Sequence, residues 1–91
     1  MKKSTRLLLT GSVQGMFFEQ FIKENADKQN VRGYVRQLEN GKVEIFLEGD
    51  SVNVAQMLSV CKRGSKHSQI RNFEEKAERF QDFKDFKILR I

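Results

Sequence analysis

Val31-Arg32-Gly33-Tyr34-Val35-Arg36-Gln37-Leu38-Glu39-Asn40-Gly41-Lys42-Val43-Glu44-Ile45-Phe46-Leu47-Glu48 is the stretch that decides the fold. Val31, Gly33, Val35 and Gln37 alternate with Arg32, Tyr34, Arg36 and Leu38. After Glu39-Asn40-Gly41, Val43, Ile45 and Leu47 alternate with Glu44, Phe46 and Glu48. A period of two is that of a strand, whose successive side chains face opposite ways. Asn40-Gly41 between two such runs predicts a hairpin with a type I′ turn, because that turn needs positive φ at both central residues. Gly49-Asp50 ends the second strand.

The pattern changes on either side. Upstream, Phe18, Phe21, Ile22 and Ala26 recur at the spacing of one helix face, with Glu19, Lys23, Asp27 and Lys28 elsewhere around it. Asn30 is its stop. Before that, Thr5 to Val13 reads as a strand with Leu7, Leu9 and Val13 on one side and Leu8 opposite. Downstream, Asp50 or Ser51 caps a second helix whose apolar stripe is Val52, Ala55, Met57, Leu58 and Cys61, ending at Arg63-Gly64-Ser65. Ile70 to Ala77 reads as a further strand. Phe86 and Ile88 against Lys87 and Leu89 read as a short terminal one. The order β-α-β-β-α-β, with the short extra strand at the end, predicts an α+β fold of the ferredoxin-like split βαβ kind, with two helices on one face of an antiparallel sheet. The eight phenylalanines are expected in the seam between the layers.

At 91 residues the chain is expected to be one domain, 1–91. A hydrophobic share of 38% and a charged share of 32% fit a globular protein. No apolar run is long enough for a bilayer and no targeting segment is read, so a cytoplasmic, membrane-free monomer is expected. Cys61 is the only cysteine, which leaves no internal disulfide, and it reads as a small buried hydrophobe. A nucleophilic pair of Cys61 with His67 lacks an acid set to orient the histidine. One Cys and one His cannot build a structural zinc site, and no metal or cofactor is expected. The formal net charge of +5 suggests an anionic partner. The basic residues are interleaved with acidic ones, whereas a nucleic-acid face more often shows a dense basic stripe, so support for a nucleic-acid partner is weak.

Chemistry is expected where the first strand meets the first helix. Gly11-Ser12-Val13-Gln14-Gly15-Met16-Phe17-Phe18 lets the backbone curl between two glycines, so that successive N–H groups converge and the helix dipole adds positive potential. That is an anion site, with Gln14, Gly15, Met16, Phe17 and Phe18 as the phosphate-binding loop. A glycine pair between strand and helix also fits an ordinary tight turn.

Two stretches make the resemblance specific. Gly11-Ser12-Val13-Gln14-Gly15-Met16-Phe17-Phe18-Glu19-Gln20-Phe21 is similar to the acylphosphatase pattern G-x-V-Q-G-V-x-F-R-x-F, in the same register. Gly33-Tyr34-Val35-Arg36-Gln37-Leu38-Glu39-Asn40-Gly41-Lys42-Val43-Glu44 is similar to that family's G-W-V-R-N-x-x-D-G-x-V-E. Met57-Leu58 through Lys62-Arg63-Gly64 and the ending Phe86-Lys87-Ile88 also resemble it, so the likeness runs from about Thr5 to Arg90. The resemblance implies metal-free hydrolysis of the carboxyl-phosphate bond of acyl phosphates, with an acyl phosphate or other small phosphorylated anion as the expected partner. It implies backbone N–H groups holding the phosphoryl group, an arginine forking onto its oxygens, and an asparagine placing the attacking water.

At those two catalytic positions this chain carries Glu19 and Gln37. An ionised Glu19 has no donors and brings negative charge toward the phosphate. At ~4 Å and an effective dielectric near 20, one charge pair amounts to about 4 kcal/mol, and here attraction becomes repulsion. Gln37 keeps the amide but moves it by about a bond length, and such misplacements can cost on the order of a hundredfold. Arg36 cannot substitute, because on a strand it faces away from Gln37. Glu19 also has a structural reading, as a first-turn carboxylate that meets the helix dipole and fills the loop from within. Three functions follow from these residues: a family member with weak or no hydrolysis, an active one with compensating residues, or a module that binds an anion, nucleic acid or protein.

Overall fold

The computed structural model describes residues 1–12, 15–65 and 69–89. In chain order they form β1 (Lys2–Ser12), α1 (Gly15–Lys28), β2 (Arg32–Gln37), β3 (Lys42–Asp50), α2 (Ser51–Arg63), β4 (Gln69–Ala77) and β5 (Phe86–Leu89). The five strands lie in the order β4-β1-β3-β2-β5. β1 pairs antiparallel with β3 and β4, and β2 antiparallel with β3. β5 pairs parallel with β2, so the sheet is mixed at that one edge rather than wholly antiparallel. Among the described helices none is long and apolar enough to cross a membrane.

Local chemistry sets the boundaries. α1 stops at Asn30, which takes φ +57. The Asn30 N–H donates to the Asp27 carbonyl at 3.2 Å and the Val31 N–H to the Ala26 carbonyl at 2.9 Å, the paired bonds of a Schellman motif. Val31 and Ala26 are both buried, the apolar contact that accompanies such an end. The hairpin between β2 and β3 closes through the Leu38 N–H on the Lys42 carbonyl at 2.8 Å. Its connection is a three-residue 3-10 turn, Glu39–Gly41, with Gly41 at φ +71, in place of the two-residue type I′ turn. Asp50 precedes α2 but makes no side-chain cap, since its carboxylate takes the N-terminal ammonium of Met1 at 3.2 Å.

One face of the sheet carries the helices. Leu7, Leu9, Val35, Val43, Ile45 and Leu47 meet Phe18, Ile22 and Ala26 of α1 and Val54, Met57, Leu58 and Cys61 of α2. Each such aliphatic side chain contributes roughly 1.5–3 kcal/mol on full burial. The stripe of α2 differs from the reading above: Val52 and Ala55 are exposed, and Val54 and Val60 are buried instead. Of the phenylalanines only Phe18 and Phe86 fill the seam, with Phe21 packed at its margin.

The other face is covered too. Phe46 stacks on Tyr34 with ring centroids 5.7 Å apart, and Phe83 packs on both. The stretch 78–85 crosses this face and is held by Glu48 of β3. Glu48 accepts the Phe83 N–H at 2.8 Å, the Gln81 N–H and the Ser4 hydroxyl at 2.8 Å. Nearer the other end, Glu44 accepts from Arg6 at 3.3 Å, from the Tyr34 hydroxyl at 3.3 Å and from Arg36. Both carboxylates are buried, and each is surrounded by donors, as buried polar groups require.

Candidate functional site

Topology brings the predicted residues to one end of the sheet. β1 and β2 are both antiparallel to β3, so they run in the same direction. The C-terminal end of β1, which leads into α1, therefore lies at the same end as the C-terminal end of β2, which carries Gln37. The register makes this concrete: Leu9 pairs with Val43, and Val43 with Gln37, in one row across three strands. Leu9 and Val43 face the helices, and Gln37 shares their face, half-buried. Arg36 turns the other way onto Glu44, as strand alternation requires.

The backbone at the end of β1 has little freedom. The pairing of β1 with β4 shifts register between Thr10 and Gly11. Gly11 sits at φ +153, and a Cβ there would lie 2.1 Å from the Gln69 carbonyl oxygen. Only glycine fits this close approach, and it is the last turn of chain before the loop. Val13 and Gln14 lie outside the described residues. Gly15, Met16, Phe17 and Phe18 are the first four residues of α1, whose N–H groups have no acceptor within the helix. Those are the donors that an anion would meet, with the positive end of the helix dipole behind them.

The side chains of that turn divide sharply. Met16 is exposed and Phe17 is 89% exposed, whereas Phe18 is a core residue. Glu19 is 1% exposed, among the most buried side chains of the chain. The reading that set Glu19 apart from the buried face of α1 is thereby corrected. So is its place in the first turn: it is the fifth residue of the helix, and that turn holds no acid. Both Glu19 and Gln37 are engaged with their surroundings.

Cys61 is wholly buried on α2, and burial pushes its thiol up to about 12, so it stays protonated and unreactive at neutral pH. His67 lies outside the described residues. The sequence reading missed the three-donor clasp on Glu44. Its signal was present in the cross-strand neighbours, since Arg36 pairs with Glu44 across the hairpin.

Two helices on one face of this five-stranded sheet define a ferredoxin-like protein, with the start of α1 and Gln37 at the same end of the sheet. The chain belongs to the acylphosphatase family, whose model matches residues 5–88. It is 34% identical over 90 residues to an acylphosphatase of Syntrophus aciditrophicus, covering 98% of this chain and 94% of that protein. It is 39% identical over 85 residues to an acylphosphatase of Pyrobaculum aerophilum, covering 91% of this chain and 90% of that one. The crystal structure of acylphosphatase from Bacillus subtilis superposes with a TM-score of 0.91 at 28% identity, over 99% of this chain and 100% of that one.

Proposed function

We propose that this chain is an acylphosphatase-family protein whose hydrolysis of the carboxyl-phosphate bond of acyl phosphates is weak or absent. One observation carries the reading: a carboxylate, Glu19, 1% exposed, stands at the position where family resemblance puts an arginine. The anion-binding loop is Gln14, Gly15, Met16, Phe17 and Phe18, of which Gln14 lies outside the described residues, and Glu19 and Gln37 are the residues that set its activity. A carboxylate offers a phosphoryl group none of the donors or positive charge that an arginine would bring there. An active site restored by neighbours is less well supported. Arg36, the nearest cation in sequence to Gln37, is bound to Glu44 on the opposite face. A nucleic-acid role has little support from the sheet either, because Phe46, 4% exposed, is stacked within its own aromatic cluster. The site lies within one chain, and a monomer is sufficient for it.

Hydrolysis of benzoyl phosphate by the purified chain tests this. The expected rate is at least about a thousandfold below that of an ordinary acylphosphatase, the equivalent of ~4 kcal/mol. The double change Glu19→Arg, Gln37→Asn should raise it by tenfold or more. Wild-type turnover at the ordinary family rate refutes the proposal.

A further inference from the structure

β4 is an open edge of the sheet, and every residue from Arg71 to Ala77 is exposed. The Glu78 N–H donates to the Ser4 carbonyl of β1 at 3.0 Å, in register with the Thr5–Ala77 pair. Backbone groups alternate along a strand, so those of Lys76 and Glu74 also face β1. The N–H and C=O groups of Phe73, Glu75 and Ala77 then face outward, a row of donors and acceptors awaiting another strand. Phe73 pairs with the core residue Leu9 and so lies on the helix side, yet it is 45% exposed. Lys62 of α2 stands 4.5 Å over its ring and bonds Glu75 at 3.0 Å.

We propose that two copies of this chain pair antiparallel through β4, with Phe73 on the two-fold axis. In that register Phe73 meets Phe73, Arg71 meets Glu75 of the second copy, Asn72 meets Glu74, and Ile70 meets Lys76. Opposite charges therefore face each other twice, and aromatic side chains meet at the centre, the cross-strand pairs that favour a sheet. Centring the axis on Glu74 or Glu75 sets a carboxylate against itself, and centring it on Arg71 sets a guanidinium against itself. The strip is also balanced in charge, Arg71 and Lys76 against Glu74 and Glu75, in a chain that carries +5. It is thus a place where two copies approach without the repulsion of their net charge. The self-match commits the edge to a second copy rather than to a foreign peptide.

Sedimentation velocity and amide exchange on the full chain test the pairing. Between about 10 μM and about 1 mM the mass should climb from 10.7 kDa toward twice that value. The amides of Phe73 and Glu75 should gain protection over the same range. Arg71→Glu and Glu75→Arg should each weaken association at least tenfold, because like charges then face each other. An equimolar mixture of the two variants should associate, since every 71–75 contact in the mixed pair is again attractive. Phe73→Pro removes an outward N–H and spares the β1 ladder, so it should abolish association in a chain that still melts cooperatively. A mass of 10.7 kDa at every concentration overturns the proposal. So does a mixture no larger than either variant alone, or protection that appears on β5 instead of β4.

Discussion

Glu44 shows how a charged residue on a strand comes to be buried. It sits between Arg6, Tyr34 and Arg36, and each donates to it. Partial burial, then the charge of Glu44 and the bond to it, hold the Tyr34 phenol above its ordinary value of 10.0, while Arg36 and Arg6 pull it down. Glu44→Gln removes the charge that repels the phenolate, so the Tyr34 titration should move to lower pH. Tyr34 is the one tyrosine and there is no tryptophan, so the ultraviolet absorbance of the phenolate reads it directly. An unmoved or raised midpoint would show that Glu44 does not control this phenol. Glu19 was legible in the sequence as a departure from the family pattern, but its burial was not. A carboxylate next to polar Gln20 looks solvent-facing until the packing of α1 on β2 and β5 turns it inward.

At the scale of elements, strand alternation read the sheet well and helical phase read it less well. Leu7 and Leu9 face the core with Leu8 opposite, and β3 buries Val43, Ile45 and Leu47 as its period of two requires. In α2 the apolar residues fit two phases, one through Val52 and Ala55 and one through Val54 and Cys61. Packing against β1, β3 and β4 selects the second. The covered outer face was not legible, because Glu44, Phe46 and Glu48 in alternate positions read as a solvated side. What covers it is the stretch 78–85, and Glu48 is its anchor. Glu48→Gln keeps the volume but replaces one acceptor atom with a donor aimed at N–H groups. Hydrogen bonds to a charged group contribute roughly 1.5–3 kcal/mol, and a loss of that order in unfolding free energy is expected. Amide exchange should accelerate first at Gln81 and Phe83. If stability is unchanged and those amides stay protected, Glu48 is not the anchor.

Across the whole molecule the sequence order predicted the layers correctly, and the one topological surprise was β5, placed parallel beside β2. A chain of 91 residues without a single proline has no X-Pro bond to isomerise, whatever its fold. Refolding from denaturant should therefore lack the phase of tens of seconds that such bonds impose at 25 °C. Double-jump stopped-flow experiments check this: the kinetics should be independent of how long the chain has been unfolded. A phase that grows with the time spent unfolded would contradict it.

The two outermost strands of the sheet are consecutive in the chain, and the stretch that joins them passes over all three strands between. It works as a belt buckled at its middle to Glu48. While that buckle is closed, fraying at the last strand stops at Glu48, and only its opening lets the loosening run on to the opposite rim.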